Sequence, residues 1–375
     1  MSLPFERLRR APDVEGEGLG AVDAADRLIL DESAAVRTGA RAGEIAVVGD
    51  AYGALALGAA HDGASAVRVH QDAVLGERAL LSNAVTLGLA EQISSGPLDA
   101  ALVAGARVVL MRLPRSLDAL RDVAGLIAAH ARSDVTVVAG GRIKHMSVAM
   151  NDVLRAFFTT VDVTHARQKS RALIARGPHD GRDPVPAAAR VDDVEVRAFG
   201  GVFAGARLDI GTRALLRALD AAPRPPGGGT AEDPWIDLAC GTGIVGAWLA
   251  RRHPSAHVYA SDQSAAAVAS ATATVAANAL SDRVRVARAD GLEERAAASA
   301  SFIALNPPFH SGAALTTTIA ERLFADAARV LAPGGQLWCV WNSPLRYRAT
   351  LERVVGPTHQ VSRDPKFTVT VSTKR

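Results

Sequence analysis

Two short segments in the second half of this chain carry the residues best able to do chemistry. The first is Asp237-Leu-Ala-Cys-Gly-Thr-Gly243. A glycine-rich turn after a strand lets backbone approach a ligand closely at the carboxyl edge of a sheet. Here an acidic residue precedes the glycines, unlike the dinucleotide fingerprint, whose ligand brings a pyrophosphate to a helix N-terminus. Asp237 suits a cationic ligand, directly or through water. S-adenosylmethionine is such a ligand: it has no phosphate and carries a sulfonium, an amino-acid group and an adenosine. Asp262 and Asp290 close the next two expected strands, where carboxylates can accept from ribose hydroxyls and from the adenine amine. Singly, these residues also read as a tight turn or a helix cap. Together, Asp237, Ala239, Gly241, Gly243, Asp262, Asp290 and Asn306 form the expected cofactor-binding set.

The second segment is Asn306-Pro-Pro-Phe309, with His310 directly after it. Two prolines after an asparagine make a stiff, extended loop without free amide hydrogens. The Asn306 side-chain oxygen and the Pro307 carbonyl can both accept from one nitrogen that bears two hydrogens. A planar exocyclic amine is such a nitrogen. Its lone pair is delocalised, so two acceptors that hold it also help it turn toward a methyl group. Phe309 can stack on the ring that carries the amine. Asn306, Pro307 and Phe309 are the expected catalytic residues, and positioning supplies much of the rate. No metal is called for. His310 is either a substrate contact or a solvated loop histidine. Phe203 and Arg207-Leu-Asp-Ile-Gly-Thr212 either close over the cofactor or start a helix, with Asp209 or Thr212 as its cap.

These residues need a frame. Strands are expected at Trp235–Leu238, 257–261, 284–288, 302–305 and 336–340, with helices at 244–251, 265–278 and 319–331 between them. Such alternation predicts an α/β fold with a parallel, doubly wound sheet. The tail adds a hairpin at the sheet edge, from strands at 359–362 and 367–371. The first half repeats the pattern in weakened form. Gly53 of Ile45-Ala-Val-Val-Gly-Asp-Ala-Tyr-Gly53 falls under Gly243, Val47 under Asp237, and Ala51 under Gly241. Arg112 falls under Asn306 and Gln71 under Asp262. The chain thus reads as two tandem Rossmann-like domains, the first degenerate. Gly177-Pro-His-Asp-Gly-Arg-Asp-Pro-Val-Pro186 reads as the linker, giving domains at 1–180 and 190–375.

Composition bounds the rest. At 375 residues the chain has room for two cores. Its two cysteines cannot make a disulfide framework or a zinc site alone. No membrane span or signal peptide is expected, so a cytoplasmic protein is. The net charge of +3 permits a nucleic-acid partner without requiring one. Arg142, Lys144, Arg155, Arg167, Lys169, Arg171 and Arg176 crowd the end of the first domain. If they share a face they can track a phosphate backbone, with Lys169 and Arg171 as expected contacts. A solvated surface is the plainer alternative.

With these motifs in place, the chain resembles the bacterial rRNA guanine-N2 methyltransferases, across nearly its whole length. Asp-Leu-Ala-Cys-Gly-Thr-Gly, Asn306-Pro-Pro-Phe-His310 and the preceding Val202-Phe-Ala-Gly-Ala-Arg-Leu-Asp-Ile-Gly-Thr212 carry the resemblance. Ala24-Ala-Asp26, Asp50-Ala-Tyr-Gly53, Met111-Arg-Leu-Pro-Arg-Ser-Leu117, Ala314-Leu-Thr316 and Lys366-Phe367 look closer to the large-subunit enzymes than to the small-subunit ones. The resemblance implies S-adenosylmethionine as cofactor and an rRNA guanine as target. It also implies an rRNA or ribosomal-subunit partner, assembly intermediates included, and a first domain that helps bind RNA. Ala239 departs from the glycine of many members. Three other readings stand beside this one: protein glutamine methylation, DNA adenine methylation, and an RNA-binding assembly factor with a silent site.

Overall fold

A computed structural model describes residues 3–16, 18–308 and 313–375, with side-chain surroundings from 317 onward in the last stretch. The chain divides into two compact units, Met1–Val185 with Phe199–Gly201, and Pro186–Ala198 with Val202–Arg375.

The first unit holds seven strands: β1 (Ile45–Val48), β2 (Val67–His70), β3 (Ile93–Ser95), β4 (Val108–Arg112), β5 (Thr136–Arg142), β6 (Phe158–Val163) and β7 (Ser170–Pro178). Their order across the sheet is β3-β2-β1-β4-β5-β7-β6. Pairing is parallel through β5 and antiparallel at β7 and β6. Strands β1 and β4 are short and wholly or almost wholly buried, as expected of parallel strands covered by helices on both faces.

The second unit opens with a hairpin, β8 (Ala187–Val191) and β9 (Val194–Ala198). Its sheet follows: β10 (Trp235–Leu238), β11 (Val258–Asp262), β12 (Val284–Arg288), β13 (Ala300–Leu305), β14 (Leu331–Asn342), β15 (Thr358–Arg363) and β16 (Phe367–Thr373). Their order is β12-β11-β10-β13-β14-β16-β15, the arrangement of the first sheet position for position. The antiparallel tail hairpin closes its edge. Two tandem copies of one α/β fold are therefore present.

Three details depart from the sequence reading. The Gly-Pro stretch assigned to a linker begins inside β7, where Pro178 pairs with Phe158. The helix expected at 319–331 spans Ala313–Val330, because a threonine run hides its apolar period. Hairpin β8–β9 is an addition to the expected elements. It is held by side chains of the helix Ala265–Ala277 and its cap: Asn278 Oδ1 accepts from Glu195 N–H at 3.0 Å, and Thr274 Oγ1 from Arg197 N–H at 3.0 Å. Among the described residues, no helix is long and apolar enough to cross a membrane.

Candidate active site

In the second sheet Leu238 lies beside Ser261 of β11 and Leu305 of β13. The residues just beyond them, Ala239 to Gly243, Asp262 and Asn306, therefore emerge together at one carboxyl edge.

Asp237 is buried, and its Oδ2 accepts from Gly246 N–H at 2.8 Å in the first turn of the helix Ile244–Arg252. Burial lifts its pKa to about 8, against the Gly246 hydrogen bond and with the help of the Asp262 charge. A carboxyl so placed gains most from a cation brought close to it. Asp262 is more open. Its Oδ2 accepts from Gly241 N–H at 2.9 Å and its Oδ1 from Ser264 N–H at 3.0 Å. Capping of the next helix falls to Ser264, whose side chain accepts from Ala267 N–H at 3.2 Å. Asp262 thereby ties the glycine-rich turn to the start of the next helix, at the edge where a hydroxyl of the ligand is expected. Asp290 is less free than its sequence position suggests, because its Oδ2 holds Arg322 at 2.8 Å.

The turn between these carboxylates runs through left-handed backbone at Ala239 (φ 57°), Gly241 (φ 55°) and Gly243 (φ 72°). The two glycines differ in purpose. A Cβ on Gly241 would meet no atom of the described residues within 4 Å, so this glycine is open on that side. A Cβ on Gly243 would lie 2.8 Å from Ala271 Cβ, so this one permits close helix packing. An open backbone face, a buried carboxylate and an exposed-edge carboxylate fit S-adenosylmethionine, the expected cofactor of this site.

Ala239 is tolerated, but at a cost. Left-handed backbone disfavours an L-residue by about 1–2 kcal/mol, and the extra freedom of glycine in the unfolded chain offsets about 0.5–1 kcal/mol of that. The first unit has Gly49 (φ 75°) at the corresponding position. Ala239→Gly is expected to stabilise the protein by about 0.5–1 kcal/mol, read as a higher urea midpoint. An unchanged or lower midpoint would mean that the turn is not strained at this residue.

Asn306 follows the last residue of β13. Its Nδ2 donates to Thr212 Oγ1 at 2.9 Å and to Asp209 Oδ2 at 3.3 Å. Its Oδ1 is buried and has no partner among the described residues. Asp209 caps the helix Ile210–Asp220, accepting from Gly211 and Thr212 N–H. One carboxylate thus caps a helix and orients the amide. The capping signal was visible in sequence, but not the reach to Asn306, because Asp209 and Thr212 lie far from it along the chain. Pro307 is buried and Pro308 exposed. Phe309 and His310 lie outside the described residues.

The first unit repeats this corner with other chemistry. Val47 pairs with Leu110 as Asp237 pairs with Ala304, which sets Arg112 where Asn306 stands. Arg112 donates to Asp23 Oδ2 at 3.0 Å and Asp26 Oδ1 at 2.6 Å. Asp23 caps the helix Ala24–Thr38 as Asp209 caps its own, and Asp26 stands where Thr212 does. The cofactor turn, by contrast, is filled. Asp50 is fully buried and folds onto Gly53 and Ala56 N–H at 3.1 and 2.8 Å. Ala56 stands where Gly246 does, so Asp50 replaces Asp237 from within the turn. Gln71, in the place of Asp262, donates to the carbonyls of Asp50 and Ala51, both at 2.6 Å.

The cations at the end of this unit do not share one face. Arg155, Arg167 and Arg176 are paired with Asp152, Asp31 and Asp162. Arg171 and Arg176 fall on opposite faces of β7 by the alternation of a strand.

Comparison with known proteins accords with this geometry. Residues 193–371 match the "Methyltransferase small domain" model and residues 3–179 the "RLMG N-terminal domain" model. Ribosomal RNA large subunit methyltransferase G of Pseudomonas aeruginosa is 34% identical over 384 residues, covering 98% of each chain. The Streptomyces avermitilis protein of the same name is 35% identical over 381 residues, covering 98% of this chain and 97% of its own. Among solved structures, the T. Thermophilus 16S rRNA N2 methyltransferase in complex with AdoMet and guanosine has a TM-score of 0.72 at 22% identity. It covers 94% of this chain and 92% of its own, and shares the fold. On its sequence relatives, this chain belongs to the ribosomal RNA large subunit methyltransferase G family.

Proposed function

We propose that this protein transfers a methyl group from S-adenosylmethionine to the exocyclic N2 amine of a guanine in large-subunit rRNA. One observation carries the reading: Asn306 Oδ1 is buried and has no partner among the described residues, while its Nδ2 is held twice. An unpaired buried acceptor costs about 1–3 kcal/mol, which a donor entering the site removes. Asn306 Oδ1 and the Pro307 carbonyl take the two amine hydrogens and turn the lone pair out of the ring plane. Phe309 stacks on the base. The cofactor supplies a methyl group bound to a sulfonium. Asn306 and Pro307 face the positive charge that develops on the nitrogen until one proton leaves to water. Asp237, Ala239, Gly241, Gly243, Asp262 and Asp290 hold the cofactor, and His310 meets the nucleotide. The names of the sequence relatives support the choice of subunit.

The first unit contributes RNA binding. Lys169 is exposed, and its carbonyl accepts from Ile143 N–H at 3.0 Å, next to Arg142 at the end of β5. Arg171 pairs with Gly141 across the same strands. The substrate is large-subunit rRNA, free or in an assembling particle.

Thr212 tests the orientation of the amide. Thr212→Val keeps the shape and removes the acceptor at 2.9 Å. The turnover number is expected to fall about tenfold, the worth of one hydrogen bond of about 1–1.5 kcal/mol, while cofactor affinity stays within about twofold. A matching loss of cofactor affinity would place Thr212 in the cofactor site instead.

The function is tested with tritiated S-adenosylmethionine and four substrates: protein-free large-subunit rRNA, small-subunit rRNA, and each assembled subunit. Label in large-subunit rRNA, recovered as N2-methylguanosine, is the expected result. Label only in small-subunit rRNA overturns the choice of subunit. Cofactor binding without label in any RNA overturns the reaction.

A further inference from the structure

The first unit has lost its cofactor turn but not the corner beside it. A cavity of about 300 Å³ opens at the carboxyl ends of β4 and β5. It lies where the second unit carries Asn306, and its lining includes Asp23, Arg112, Arg115, Arg142, Lys144 and His145. The Arg112 charge is matched by Asp23 and Asp26. Arg115, Arg142 and Lys144 make no ion pair among the described residues. They differ in this from Arg155, Arg167 and Arg176 nearby in sequence. Burial and the charges of Arg115, Lys144 and Arg142 also hold His145 below the ordinary histidine pKa, so the cavity is electropositive by its effect on a neighbour.

The chemistry narrows the ligand. Three unpaired cations around a concave site suit an anion with several acceptor oxygens. Apart from the His145 imidazole, no aromatic ring among the described residues lines the cavity to stack a base. Such a site reads phosphate and not sequence. Its wall is firm: the ion pairs from Arg112 tie the end of β4 to the start of the helix Ala24–Thr38. Resting on the rRNA reading above, we propose that the cavity at Arg115, Arg142 and Lys144 binds a backbone phosphate of the substrate RNA. In this account the degenerate unit kept its target corner and exchanged an amine acceptor for a phosphate clamp.

The test compares two triple variants of the full chain. One carries Arg115→Ala, Arg142→Ala and Lys144→Ala. The other carries Arg155→Ala, Arg167→Ala and Arg176→Ala and removes the same charge from paired positions. Affinity is measured against salt for protein-free large-subunit rRNA, a short oligouridylate and inorganic phosphate. The first triple is expected to weaken both RNAs about tenfold or more and to lower the slope of log affinity against log salt by about 0.7, the loss of one neutralised phosphate of single-stranded RNA. The second should change the slope less. Equal changes in both triples, or no change in the first, overturn the proposal. Inorganic phosphate bound as tightly as oligouridylate also overturns it, in favour of a free-phosphate site. If the oligouridylate effect appears but no rRNA takes up methyl label, the cavity stands and the methylation reading fails.

Discussion

Asn306→Ala is expected to lower the rate of methyl transfer by about 10²–10³, the effect of removing one preorganised polar group from a reacting centre. Cofactor affinity should change little. The loss follows from how the amide is held. Nδ2 is held by Thr212 and Asp209, and turning the carboxamide over would set its oxygen against the Asp209 carboxylate, which can only accept. Oδ1 is thereby kept as an acceptor in a buried place, with no donor among the described residues. Truncation to alanine removes the acceptor and frees Asp209, which still caps its helix. The fold should therefore survive, and a far-ultraviolet spectrum and a urea midpoint close to those of the parent would establish it. Asn306→Asp is a sharper variant. It keeps an acceptor but sets a second carboxylate against Asp209, so transfer should fall while the Nδ2 contacts become repulsive. Near-parent transfer by Asn306→Ala would remove Asn306 from the chemistry altogether.

Asp237→Asn is expected to produce two opposite effects. Cofactor affinity should fall about tenfold to a hundredfold, the range of a lost hydrogen bond to a charged group, about 1.5–3 kcal/mol. Stability should rise relative to the parent as the medium becomes alkaline. The pKa of Asp237 is lifted from 3.8 to about 8 in the folded protein. The folded state therefore keeps a proton that the unfolded state sheds. The stability this proton gives is fully present below about pH 4 and is lost as pH rises to about 8, above which the folded protein carries a buried charge. Asparagine keeps the acceptor for Gly246 N–H and carries no charge. The gap in urea midpoint between variant and parent should widen in favour of the variant from about pH 5 to about pH 8.5. Asp50, lifted to about 6 mainly by burial, acts in the same direction in the first unit and is common to both proteins. A gap independent of pH would mean that Asp237 is ionised throughout.

Much of the second unit was legible because its chemistry is local. Asp237, Gly241 and Gly243 sit within one strand and turn, and the strand ends at Asp262 and Asn306 follow from alternation alone. What was not legible depends on contacts between distant parts of the chain. Asp209 and Thr212 read as a helix start, and only the folded sheet brings them to Asn306. The clustered cations of the first unit looked alike in sequence. Arg167 is set apart by Asp31, which approaches it from the first long helix. The fate of the first cofactor turn was hidden for a related reason. The carboxylate lost at Val47 reappears at Asp50, where it serves the same helix turn from a different backbone position. An alignment by position records a loss there, while the fold records a substitution of one anchor by another.

In the proposed reaction the Asn306 corner holds an amine with two hydrogens. This is tested most directly by comparing guanosine with inosine, which lacks that amine, as ligands of the full chain with S-adenosylhomocysteine bound. Guanosine is expected to bind about tenfold or more tighter, since inosine leaves the buried Asn306 Oδ1 unpaired at about 1–3 kcal/mol. Asn306→Ala is expected to remove most of the difference. Equal binding of the two nucleosides to the parent protein would contradict the account, because the corner would then be recognising something other than the amine.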